Sequence, residues 1–190
     1  ATLPAAAARN GGTEFALELV YNGGTGARPA RDGLSATAFP SGVWGSQVET
    51  TEAVAPVLIT RRELRPDSGG AGRQRGGLGQ HIEMRSATDE DILLFLSVER
   101  VTFPAQGRQG GGPGAAGRIR IGHDGKDLPS KGEMLVPAEE TLVFETPGGG
   151  GFGAPNERDV QALQRDISEG LISPKAAAAL YGYDTQGSKQ

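Results

Sequence analysis

The chain contains no cysteine among its 190 residues, so it forms no disulfide, offers no thiolate nucleophile and ligates no zinc or iron–sulfur cluster through sulfur. Histidine is nearly as scarce, with only His81 and His123, and neither sits in an H-E-x-x-H spacing. Each reads as a surface residue, His81 on the polar face of a strand and His123 in the turn Gly122-His-Asp-Gly125; Asp32 or Asp124 are the carboxylates that a metal site would recruit beside them. Neither a Gly-x-Ser-x-Gly elbow nor a Ser-x-x-Lys motif occurs, so the chain read alone supplies no complete catalytic apparatus. No apolar run approaches the ~18–20 residues of a membrane span. The opening Ala1-Thr-Leu-Pro stretch lacks the charged lead and the length of a signal peptide. A net charge of −4 provides no global attraction to nucleic acid or anionic membranes, and a soluble cytoplasmic chain is expected.

Glycine is what the chain has in excess, 31 residues, roughly twice the usual ~7%. The glycines cluster without a Gly-x-y period, which excludes collagen, and their cost inside helices argues against long ones. Elsewhere the period is two. Phe15, Leu17, Leu19 and Tyr21 alternate with Glu14 and Glu18, and 34–39 repeats the pattern more weakly. Further strands are expected over 57–64, 78–85, 118–121, 134–136 and 141–144, and the continuous run Ile92-Leu-Leu-Phe-Leu96 reads as a central strand buried on both faces. Eight short strands between glycine-rich turns predict a mainly β domain over 13–154, an antiparallel or mixed sandwich or barrel-like fold. The period then lengthens: Val160, Leu163, Ile167 and Leu171 form one helical stripe, with Asn156 as N-cap and Gly170 as its stop. Ser173-Pro174 opens a second helix closed by Gly182. This short C-terminal helical pair, within 155–183, is expected on the sheet's edge. Residues 1–12, which begin without Met and resemble a tail or a cut end, are expected to be flexible, and 184–190 to be a disordered tail.

Two stretches match G-x-G-x-x-G. Gly112-Pro-Gly-Ala-Ala-Gly117 runs into the alternating Arg118-Ile-Arg-Ile121, so no helix N-terminus follows to hold a pyrophosphate. Gly148-Gly-Gly-Gly-Phe-Gly153 does precede a helix, but Glu157 and Asp159 there repel a phosphate. Its glycines read first as a close approach of backbone to a neighbour, with Gly148, Gly149 and Gly150 retained as candidate substrate-lining positions. Between Arg61 and Arg85 stand six arginines, three acids and no lysine. Arginine without lysine points to bidentate pairing with carboxylates, of protein or of substrate. The favoured arrangement pairs Glu63 and Asp67 with Arg65, Arg73 or Arg75. Together with Arg28 and Asp32 these are candidate substrate or interface residues, and all seven are expected in one buried or interfacial ion network, because isolated burial of so many charges costs several kcal/mol each.

Five ordered motifs run through the chain: Gly23-Gly-Thr-Gly-Ala-Arg-Pro29 with Arg31-Asp-Gly33; Glu63-Leu-Arg-Pro-Asp-Ser-Gly-Gly70 with Arg75-Gly-Gly-Leu-Gly79; Leu128-Pro-Ser-Lys-Gly132; Glu145-Thr-Pro-Gly-Gly-Gly-Gly-Phe-Gly153; and Gly170-Leu-Ile-Ser-Pro174 with Tyr181-Gly182. From about Thr13 to Tyr183 the sequence resembles the C-terminal part of the hydantoinase B/oxoprolinase family. The resemblance implies a portion of a subunit in an ATP-dependent cyclic amide hydrolase that opens hydantoins, 5-oxoproline or lactams, or in a related acetone- or acetophenone-type ketone carboxylase. An assembly module without catalytic residues of its own is the reading of a different class. The resemblance further implies a hetero-oligomer with the rest of the hydantoinase B-type subunit and with a hydantoinase A-type partner. ATP and Mg are then bound by that partner, and a divalent metal such as Zn or Mn belongs to the earlier part of the subunit. Phe39-Pro-Ser-Gly-Val-Trp-Gly45 stands where oxoprolinase-like members carry His and Asn, which sets this chain apart from them.

Overall fold

The computed structural model of the protein describes residues 2–4, 17–38, 45–184 and 188–189. In chain order its elements are β1 (Thr2–Pro4), β2 (Glu18–Val20), α1 (Val48–Val54), β3 (Val57–Leu64), β4 (Gln80–Ser86), β5 (Ile92–Ser97), β6 (Arg118–Ile121), β7 (Lys131–Val136), β8 (Leu142–Glu145), a 3-10 turn (Pro155–Glu157), α2 (Val160–Ser168), α3 (Pro174–Tyr181), β9 (Tyr183–Asp184) and β10 (Ser188–Lys189). β1 falls within the stretch read as an N-terminal tail, and Asp184 of β9 and all of β10 within the one read as a C-terminal tail; the rest of those stretches, with Phe15 and most of 39–45, lies outside the described residues.

Two open four-stranded antiparallel sheets, β2-β1-β5-β7 and β3-β4-β8-β6, are present, and neither closes into a barrel. Alternation decides which side chains turn inward. Ile92, Leu94 and Leu96 of β5, Ile82 and Met84 of β4, Leu142 and Phe144 of β8 and Ile119 of β6 join one apolar core. β5 is central in its sheet, but Leu93 and Phe95 on its other face stay partly exposed, which corrects the reading of a strand buried on both faces. The expected strand at 34–39 is also absent from its described part. Ala36 takes the left-handed region (φ 48°), which no strand residue can adopt, and its N–H bonds the Leu78 carbonyl at 2.9 Å. Helix α1 was not anticipated: its seven residues include two valines and two threonines, weak helix formers, and it forms with Thr51 buried.

The glycines build a bundle of extended segments outside any sheet ladder. Gly148 and Gly151, three apart, both donate to the 111–116 segment, at Ala115 O (3.0 Å) and Gly112 O (2.9 Å), while Gly149 donates to Gly77 O (2.9 Å). Their Cβ directions rotate in the same way. A methyl on Gly148 would lie 1.7 Å from Ser68 O, on Gly149 1.9 Å from Thr25 O, on Gly150 2.2 Å from Gln106 O, and on Gly151 2.1 Å from Ala71 O, back beside the segment that Gly148 faces. Return to the same neighbour after three residues is the period of a polyproline II-type helix. Segment 148–151 is thus packed on all sides by other backbones. None of its four glycines has a positive φ, so what they supply here is space rather than conformational freedom.

The helical pair packs on this bundle, with Ala71 joining Leu163, Ile172, Ala177 and Tyr181 in a second apolar cluster; this replaces the expected seat on a sheet edge. Ser173 caps α3 through Ala176 N–H, and Gly182 ends it at φ 64°. For α2 the cap is Asp159, which accepts from Ala162 N–H at 2.9 Å, not Asn156. Arg158 is extended between the 3-10 turn and the helix, and this carries its guanidinium into the interior.

Candidate functional site

Two charged networks hold most of the ion pairs among the described residues. In the first, Arg158 donates to both oxygens of Asp32 (2.9 and 2.8 Å) and to Asp166. Arg75 faces Asp166 through Nε at 3.3 Å, its backbone N–H donates to Asp32 at 2.7 Å, and Arg158 also reaches the Arg73 carbonyl at 3.2 Å. Arg158, Asp166 and Arg75 are buried and Asp32 is half-buried. Burial pushes the Asp32 carboxyl up, but the Arg158 hydrogen bonds and charge, helped by the Arg75 N–H, outweigh it and leave Asp32 below the ordinary carboxylate value. The same partners overcome burial at Arg158 and raise it. Two guanidiniums and two carboxylates balance, so the network clamps the helical pair to the glycine bundle without leaving a buried charge unpaired.

The second network covers the outer face of sheet β3-β4-β8-β6, where cross-strand pairing sets Glu63 opposite His81 and His81 opposite Glu145. The His81 ring nitrogens face Glu83 at 2.8 Å and Glu145 at 3.4 Å. Arg65 and Arg120 approach Glu145 at 3.5 and 3.8 Å. Arg61 joins Glu83 (3.4 Å) to Glu63, and His123 comes within 3.8 Å of Glu83. The His81 hydrogen bond holds the Glu83 carboxyl below its ordinary value against the opposing effect of burial. Burial lowers Arg65, with Glu145 countering. His81 is not a surface residue, since its side chain is only 13% exposed; His123 is largely exposed.

The seven residues expected in one network therefore separate. Asp32 and Arg75 share the first, Glu63 and Arg65 the second. Asp67 (φ 61°) accepts from Ser173 N–H at 2.7 Å, tying the loop to the start of α3. Arg73 makes an exposed pair with Glu157 at 3.6 Å, and Arg28 is exposed. The expected pairings of Glu63 and Asp67 with Arg65, Arg73 or Arg75 are replaced by Arg61 and by a helix N-terminus, because β3 alternation turns Glu63 outward and Asp67 lies in the turn beyond it. Gly148, Gly149 and Gly150 lie in the interior of the bundle. Arg158 and Asp166 were missed, although one signal was present: Asp166, at i+3 from Leu163, falls on the apolar face of α2, where a carboxylate needs a partner.

Among the described residues no group of three or more His, Asp or Glu is arranged to hold a metal. Glu83 and Glu145, the carboxylates nearest to histidine, are already engaged by guanidiniums. The donor set among the described residues does not fit a divalent cation. Two clefts of about 440 and 500 Å³ flank Glu99 and Arg100, one walled by the Gly23–Gly26 backbone and the other by Val98–Phe103.

A family profile described as hydantoinase B/oxoprolinase matches residues 3–155. The chain belongs to the hydantoinase B/oxoprolinase family. Among its relatives, caprolactamase subunit beta of Pseudomonas jessenii is 33% identical over 96% of this chain and 33% of that subunit. The acetone carboxylase alpha subunit of Xanthobacter autotrophicus is 28% identical over 84% of this chain and 25% of that subunit. The crystal structure of ATP-dependent caprolactamase from Pseudomonas jessenii superposes with a TM-score of 0.78 at 27% identity, covering 100% of this chain and 35% of that one. The chain spans about a third or less of the length of these relatives. Its helical pair lies beyond the family profile but within the caprolactamase superposition. No helix among the described residues is long and apolar enough to cross a membrane.

Proposed function

We propose that this chain is the C-terminal portion of a hydantoinase B-type subunit in an ATP-dependent cyclic amide hydrolase working in the cytoplasm, where ATP is available. The observation that carries this reading is the likeness to caprolactamase, which extends over nearly the whole chain in sequence and all of it in structure. In the reaction, the amide oxygen of a lactam or hydantoin attacks the γ-phosphorus and ADP leaves; a first water adds to the activated carbon and the ring C–N bond breaks to leave an acyl phosphate, which a second water cleaves to the ring-opened carboxylate and phosphate. ATP and Mg belong to the hydantoinase A-type partner, and a divalent metal to the preceding part of the subunit.

Within such an enzyme this portion acts as a rigid support. The buried glycine bundle and the balanced ion clamp make it stiff, and the charges of both networks are met inside the chain. Turnover by the complete assembly tests the reading: ADP release that depends on ε-caprolactam or hydantoin is expected, and ADP release with acetone and bicarbonate alone would replace the hydrolase by a ketone carboxylase.

A further inference from the structure

One end of the glycine bundle carries arginines that the ion networks leave unused. Ala27 N–H bonds Gly150 O at 2.9 Å and so seats the Arg28–Arg31 turn beside Gly150. Arg108 N–H bonds Gly151 O at 2.9 Å, its carbonyl accepts from Gly153 N–H at 3.0 Å, and Arg73 N–H bonds Gly153 O at 3.2 Å. Arg28, Arg31, Arg73 and Arg108 are all exposed. The carboxylate that pairs with one of them is Glu157, whereas Asp32, next to Arg31, is held by Arg158. A strongly positive end thus stands on a chain whose net charge is −4.

The layout indicates what it receives. Its anchor points are spread along Gly150 to Gly153 and belong to three separate segments, at 27–31, 73 and 108, an extended array of guanidiniums rather than a single point. A row of carboxylates on a polypeptide surface matches that spread, each taken by a guanidinium fork. Because backbone hydrogen bonds to the bundle hold all these anchor points, little main-chain order remains to be lost on docking.

We propose that this arginine end is the docking surface for a carboxylate-rich face of another subunit of the enzyme. The inference rests on the hetero-oligomer reading above for the identity of that partner, since the relatives are themselves named as subunits. The test measures binding of a fluorescein-labelled decaglutamate peptide to the complete subunit by anisotropy, at low salt and at 0.5 M NaCl, with inorganic phosphate as competitor. Binding that high salt abolishes, and that both R28E/R31E and R73E/R108E weaken at least about tenfold with wild-type melting, is expected. Should the R73E/R108E pair melt early, the exposed R28E/R31E pair decides alone. No binding, or binding indifferent to the reversals, overturns the proposal, as does displacement by low-millimolar phosphate, which indicates a small-anion site. Sedimentation with the partner subunit is read separately: peptide binding without assembly removes the hetero-oligomer reading and leaves the acidic-polypeptide surface standing.

Discussion

Replacing Gly149 by alanine places a methyl group 1.9 Å from the Thr25 carbonyl oxygen and 2.3 Å from its carbon. Neither atom belongs to a side chain that can rotate away, so the backbone of 24–26 or 148–150 must move by more than an ångström. That movement strains the hydrogen bonds Gly77 N–H to Thr25 O, Gly149 N–H to Gly77 O and Gly70 N–H to Gly149 O, each 2.8–2.9 Å long. Overpacking costs about 1–3 kcal/mol, and each buried group left unpaired costs about 1–3 kcal/mol more. The stiffer unfolded chain returns only about 0.4–1 kcal/mol. A net loss of roughly 3–5 kcal/mol is expected, a large share of the ~5–15 kcal/mol that holds a domain together. Gly26→Ala is the matched control, because the nearest atom to its Cβ is Gly150 O at 3.9 Å; it should be neutral or slightly stabilising. Urea unfolding followed by circular dichroism measures both. A Gly149→Ala variant within about 0.5 kcal/mol of wild type would show that the segments are not packed backbone to backbone, and the account of the glycine content would fail.

Asp166→Ala strands the Arg75 guanidinium in the interior and takes one of its two carboxylates from Arg158, which keeps Asp32, and should destabilise by about 3–5 kcal/mol, whereas Glu63→Ala, which removes half of an exposed pair with Arg61, should change the stability from the same urea titration by less than about 0.5 kcal/mol; equal effects would contradict the burial assigned to the clamp. Acidification tests Asp32 and Glu83, both held below their ordinary values. The unfolded chain binds protons at these groups first, so the stability they contribute is full above their unfolded values near ~4 and is lost as pH falls through the folded ones. The urea midpoint should therefore drop below about pH 5, and Asp32→Asn should flatten that drop; an unchanged slope in the variant counts against the Arg158 pairing.

Much of the β architecture was legible in local pattern. The β-branched run at 57–64 marks a strand, and the alternation in 78–85 and 118–121 reports which side chains a pleated strand turns inward, and neither signal depends on a distant residue. Caps were legible where one residue decides them, as at Ser173 and Gly182. The failures have a common cause. Ala36 breaks a strand-like alternation because its N–H finds Leu78, and Asp159 displaces Asn156 as cap because Arg158 must extend to reach Asp32 and Asp166.

By itself the sequence determined the apolar faces, the abundance of backbone close contacts and, through ordered glycine motifs, the family. Only the tertiary structure decided which charges meet. Arg75 and Asp166 are 91 positions apart, and Arg158 and Asp32 are 126, so no local periodicity links them. Their pairing follows from where the helical pair lands on the glycine bundle. Arg28 and Arg73, which share the sequence features of Arg65 and Arg75, remain at the surface because their segments emerge at the bundle's open end.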